Sequence, residues 1–181
     1  MGDLNLFSFL IFIAGGFAAS LITALAGFAF GIIAAGPWLH VLTPSQTTAL
    51  IVAYGLVVQG YSVWKLRAAI KIGRLLPFLL GGATGLAGIV VMIWSGLRGW
   101  SKDEQRAVFQ PAGVANFAMI ALWIGGVGVL DRDTMMLCAV GLPFILAGLW
   151  IGFAFYRKTD EAGFRKIVLI LLLVSGATLL V

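Results

Sequence analysis

Cysteine and histidine occur once each, as Cys138 and His40. One cysteine cannot close an intrachain disulfide, and this pair of residues cannot supply a thiolate cluster or a histidine-based metal site. Charge is also scarce. Only 10% of residues are Asp, Glu, Lys or Arg, against about 25% in an ordinary soluble domain. The acids are Asp3, Asp103, Glu104, Asp131, Asp133, Asp160 and Glu161, and none lies within an apolar run. This argues against a proton relay or cation site built on an intramembrane carboxylate. It also leaves no nucleophile, acid–base pair or metal set from which an enzyme site is assembled. The chain reads as a non-enzyme, with no cofactor and no metal.

What the chain has in quantity is apolar sequence. Hydrophobic residues make up 61%, and the mean hydropathy is +1.08. Leu4 to Trp64 contains no Asp, Glu, Lys or Arg. A spanning helix needs about 20 apolar residues, so this run alone supplies more than one membrane segment. The expected fold is all-α: a polytopic helix bundle in a lipid bilayer, occupying residues 1–181 as one transmembrane domain. The net charge of +5 does not indicate nucleic acid, because Lys and Arg sit between apolar runs, where they orient a membrane protein. The basic stretches Lys65–Arg74 and Arg157–Lys166 are expected in the cytoplasm, and Asp131-Arg132-Asp133 outside.

Leu6–Leu42 is interrupted by Gly15, Gly16, Gly27, Gly31, Gly36 and Pro37. It is too long for one span and short for two. A helix over 6–25 followed by a half-helix over 28–42 fits, and such a broken or re-entrant segment needs protein or a water-filled cavity to cover its backbone. The same glycines would equally let helices pack closely. Pro44 marks a helix start. Gln59 and Ser62 are polar within the next span, where a hydrogen bond to a neighbouring helix would satisfy them. Further on, Gln110 and Asn116 enter an apolar run on either side of Pro111, just after the charged cluster Arg98–Arg106. An amide in hydrocarbon must be paired.

Two internal similarities suggest an inverted repeat, with halves at 1–88 and 89–181. Leu76-Pro77-Phe78 matches Leu142-Pro143-Phe144, and Thr43–Leu50 resembles Ser101–Val108 in its polar start. The loops before the two LPF copies carry opposite charge bias, as inverted halves require. One count does not close. The two basic stretches should share a side, yet three apolar segments separate them. The glycine-broken Leu75–Ser95 is the candidate that does not cross.

An anion path needs no carboxylate. It needs amides, hydroxyls, backbone N–H groups at helix N-termini and a cation at the mouth. The residues of these types are Gly27, Gly31, Gln59, Gln110 and Asn116 for binding, with Arg98 and Arg106 at the mouth. Interfacial anchoring is the competing reading for the two arginines, as it is for His40.

The runs AGFAFG at Ala26–Gly31, VWKLRAAIKIGRLLPFLLGG at Val63–Gly82, SGLRGWSKDEQRAVFQP at Ser95–Pro111, and LPFILAGLWIG followed by FRKIVLILLLVSG resemble the TauE/SafE family of bacterial membrane transporters. The resemblance implies a multi-pass inner-membrane protein that moves a small anionic substrate, sulfite or an organosulfonate. The second glycine-rich motif of that family normally ends in a Gly-Pro or Pro-Pro pair, and Gly85–Met92 here has no proline. The resemblance therefore implies a shortened member of that family. The alternative is a transport-deficient paralogue that serves as a membrane binding or assembly partner. A homo-oligomer would supply cover for the broken segment.

Overall fold

The computed structural model describes residues 5–27, 29–66, 98–127 and 131–158, together with 160, 162, 163 and 166. The first LPF copy, Leu75–Ser95, Gly85–Met92 and the C-terminal run from Ile167 lie outside the described residues.

Five helices account for the described chain: α1 (Leu6–Ala26), α2 (Phe30–Trp38), α3 (Pro44–Leu66), α4 (Lys102–Val127) and α5 (Arg132–Tyr156). All but α2 are long and apolar enough to cross a membrane. The protein is thus all-helical among the described residues and belongs to the class of membrane helix bundles.

Helix boundaries follow from local chemistry. The Asn5 side chain accepts from Ser8 N at 2.8 Å and opens α1. Gly27 ends α1 with φ 90°, a left-handed conformation that glycine adopts without strain. Ala29 follows at φ 78° and starts α2 with no side-chain cap. Two left-handed residues so close together are what breaks the helix. At nine residues, α2 is roughly 14 Å long, less than half a bilayer core of about 30 Å.

Two helices begin with the same reciprocal device. Gln46 N donates to Thr43 Oγ1 (3.3 Å) while Thr43 N donates to Gln46 Oε1 (3.2 Å). Glu104 N donates to Ser101 Oγ, and Ser101 N to Glu104 Oε2, both at 3.3 Å. These are capping boxes at the starts of α3 and α4. α4 then runs through Pro111, and α5 through Pro143, each as one helix.

Close approach at small residues sets the packing, as expected where lipid removes the hydrophobic drive between helices. A Cβ at Gly16 would lie 3.0 Å from Ile145, one at Gly148 would lie 2.6 Å from Phe17 O, and one at Gly152 would lie 2.5 Å from Ala24 Cβ. The matched positions rise together, so α1 and α5 run parallel. Between α3 and α4 the order reverses. A Cβ at Gly55 would meet Phe117 at 2.7 Å, and one at Gly113 would meet Gln59 at 2.7 Å. α3 and α4 are antiparallel. Tyr54 donates to Leu137 O at 2.9 Å, and the Tyr61 ring lies 5.6 Å from that of Phe153, which aligns α3 with α5.

α2 folds back along α1. Pro37 packs on Gly15, and Trp38 Nε1 donates to Phe12 O at 2.9 Å. Trp38 is fully buried among Phe12, Phe30 and Tyr54, with centroids 5.3–6.2 Å away. This tryptophan is core, whereas Trp64, Trp123 and Trp150 are exposed.

α1, α3 and α5 thus point one way and α4 the other. Lys65 and Arg157 arrive at one end of the bundle, and Asp131 stands at the other. Of the described helices, α4 and α5 lie between the two basic stretches; Leu75–Ser95, the third apolar segment there, lies outside the described residues.

Gly148→Leu should lower the thermal midpoint in detergent by several degrees, because the side chain displaces α1 backbone. Gly60 has open space around it, so Gly60→Ala should be neutral or stabilising by up to about 1 kcal/mol.

Candidate functional site

One face of α4 carries the unusual residues. Arg106, Gln110, Gly113 and Phe117 are spaced to share a helix face, and that face packs on α3 and on the end of α1. Arg106 is 1% exposed and Gln110 0%. Neither residue type is often buried so completely, so their partners decide whether the arrangement is tolerable.

The partners come from three other places. Arg106 Nη1 donates to Ala24 O at 2.8 Å. Ala24 lies in the last turn of α1, at the negative end of the helix dipole, next to Thr23, whose carbonyl accepts from Gly27 N at 2.7 Å. The guanidinium also lies 4.9 Å from the Phe153 ring centroid and 4.2 Å from that of Tyr156, both within cation–π range. Tyr156 Oη in turn donates to Asp103 Oδ1, one turn before Arg106 on α4.

Gln110 joins the arginine to α3. Its amide orientation is assigned from its neighbours. With nitrogen toward α3, it donates to Ser62 Oγ at 2.8 Å and to Gln59 Oε1 at 3.3 Å. Its oxygen then accepts from Arg106 Nη2 at 3.0 Å and Nε at 3.3 Å. The reverse orientation would set the oxygen against acceptors and leave the nitrogen only a long 3.5 Å contact to Gly27 O. Ser62 Oγ itself donates to Val58 O at 2.7 Å. The result is a continuous polar chain through the bundle: α3 amide and hydroxyl, α4 amide, guanidinium, α1 carbonyl.

Gly27 is needed here twice over. Its φ of 90° suits glycine, and a Cβ there would lie 3.1 Å from Arg106 Cγ. The helix break and the buried arginine therefore occupy the same place.

Of the residues singled out from sequence, Gly27, Gln59, Gln110 and Arg106 come together. Arg106 is inside the cluster rather than at a mouth, because the broken end of α1 supplies a carbonyl that only a deep donor can reach. Arg98 is exposed. Gly31 faces α3, where a Cβ would meet Ile51 at 3.3 Å. Asn116 is half-buried, ten positions beyond Arg106 and so about 80° around α4 from it at ~100° per residue. It is off the packed face. His40 is exposed and donates from Nδ1 to Gly36 O at 2.8 Å. Phe153 and Tyr156 had no sequence signal as partners of Arg106, since the aromatics lie some fifty residues further on. Among the described residues, no group of His, Cys, Asp or Glu is placed to hold a metal.

No family model, curated protein or solved structure matches the chain.

Arg106→Leu should destabilise the protein by about 1–3 kcal/mol, because Ala24 O and the Gln110 oxygen lose their donors. Arg106→Lys should restore only part of this, since one ammonium cannot bridge both acceptors and stack between two rings. Chemical unfolding in detergent measures both; a leucine variant as stable as the parent would contradict the capping role.

Proposed function

We propose that the chain is a transporter of small anions in the bacterial inner membrane, of the TauE/SafE type, with sulfite or an organosulfonate as substrate. The observation that carries this reading is the buried cation at a helix break. Arg106 and the amides of Gln59 and Gln110 stand where α1 ends and α2 begins, in a bundle whose apolar runs hold no carboxylate. An oxyanion is the ligand such donors suit. The backbone N–H groups that open α2 have no side-chain cap and add the positive end of a helix dipole.

The same reading accounts for the architecture. α2 is a half-length segment folded back on α1, as a re-entrant element would be. The α3–α4 crossing supports an inverted repeat. Gly55 receives Phe117 and Gly113 receives Gln59, so the two contacts interchange on exchanging the helices, and both helices begin with a capping box. An axis relating antiparallel spans lies in the membrane plane, the geometry of inverted repeats in secondary transporters. The end bearing Lys65 and Arg157 faces the cytoplasm. Substrate reaching the break would exchange Arg106 or Gln110 contacts for its own oxygens, and release would restore them.

The alternative, an assembly partner without transport, draws on the same hydrogen bonds: Arg106 already has Ala24 O and Gln110 as acceptors. Flux decides between the two. Proteoliposomes holding only this chain should take up sulfite, and Gln110→Leu should abolish uptake while the protein stays folded. Asn116→Leu, off the packed face, should retain most of it. A folded parent protein without flux would overturn the transport reading and favour the partner.

A further inference from the structure

At the end of the bundle that carries Lys65 and Arg157 there is a half-open cavity of about 630 Å³, lined by Tyr61, Lys65, Asp103, Trp150, Tyr156 and Arg157 among others. Its size falls in the range of roughly 300–1,000 Å³ usual for small-ligand sites. Its place is the membrane boundary: the apolar spans of α3 and α5 end at Lys65 and Tyr156. Trp150 and Trp64 are 70% and 56% exposed there, as in an aromatic belt at headgroup level.

The charges in this cavity are of both signs. Lys65 Nζ lies 5.2 Å from the Trp64 ring centroid and 5.7 Å from that of Tyr61. Neither Lys65 nor Arg157 is in an ion pair among the described residues. Asp103 is the one acid among the described residues of the lining, and it accepts from Tyr156 Oη. A purely anionic ligand would satisfy the two cations but meet the carboxylate. A purely cationic one would meet the reverse. Aromatic faces add attraction for an ammonium.

We propose that this cavity seats a group bearing both a phosphate oxyanion and a primary ammonium, the oxyanion drawn to Lys65 and Arg157 and the ammonium to Asp103 and the aromatic wall. The same chemistry is carried by a phosphatidylethanolamine headgroup and by a soluble phosphoethanolamine ester. The site stands at the rim and does not depend on transport through the helix break.

Native mass spectrometry of the full chain in detergent tests this, with phosphatidylethanolamine, phosphatidylglycerol and phosphatidylcholine added in turn. Phosphatidylethanolamine should be retained about tenfold more tightly than the other two. The double variant Lys65→Ala/Arg157→Ala, whose residues lie at helix ends, should lose that retention. Asp103→Asn should remove the preference over phosphatidylglycerol while leaving binding. Displacement of the lipid by glycerophosphoethanolamine would agree with the proposal and assign the site to a solute; lipid retention in its presence would agree and assign it to the headgroup. Equal retention of all three lipids, or retention unchanged in the double variant, would overturn it.

Discussion

Where α1 stops at Gly27, its last turn ends inside the bundle, with Thr23 O accepting from Gly27 N and Ala24 O from Arg106 Nη1. A spanning chain must satisfy every such group internally. Arg106 does so from the neighbouring α4, with a guanidinium that reaches Ala24 O on one edge and Gln110 on another and is flanked by Phe153 and Tyr156. The break and the arginine require each other. The break brings the end of α1 to the arginine, and without the cation Ala24 O would lose the guanidinium donor.

That requirement organises the rest. To bring Arg106 to the end of α1, α4 must start where α1 ends, and α5 must end there too if its aromatics are to cover the guanidinium. The parallel pairing of α1 with α5 through Gly16, Gly148 and Gly152, and the antiparallel pairing of α3 with α4 through Gly55 and Gly113, are the packing solutions that achieve it. Backbone proximity at these glycines leaves no room for sliding, so the polar chain from Ser62 to Ala24 is held in register. Trp38 and Tyr54 perform a related task at the other end of α2, each tying one helix to the backbone of another.

Charge distribution separates the two ends of the bundle. Lys65 and Arg157 share one end with the start of α4, and Asp131 caps α5 at the opposite end by accepting from Thr134 N at 2.8 Å. The boundary end gathers exposed tryptophans and a cavity with charges of both signs. The interior site and the boundary cavity touch the same residues, Asp103 and Tyr156, so occupancy of the rim and the environment of Arg106 share a hydrogen bond.

Membrane class, all-helical character and the interruption near Gly27 were legible in the sequence, because each depends on local composition: a charge-free run, apolar length and a glycine where φ turns positive. The starts of α3 and α4 were legible for the same reason, as polar residues at Thr43 and Ser101 ahead of apolar runs; the reciprocal caps there came with the fold. Gln59 and Gln110 stood out because amides are rare in hydrocarbon. The depth of Arg106 was not legible. A basic residue near the start of a span reads as a boundary anchor, and only the fold puts the end of α1 and its Ala24 carbonyl beside it. Nor could sequence separate Asn116 from Gln110. Both are amides in one apolar run, but the face of α4 that packs on α3 is chosen by Gly113 and Phe117 against Gln59 and Gly55, contacts made across more than fifty residues. Local chemistry determined the segments; the tertiary structure decided which of their polar groups meet, because a buried donor is tolerated only where packing brings an acceptor to it.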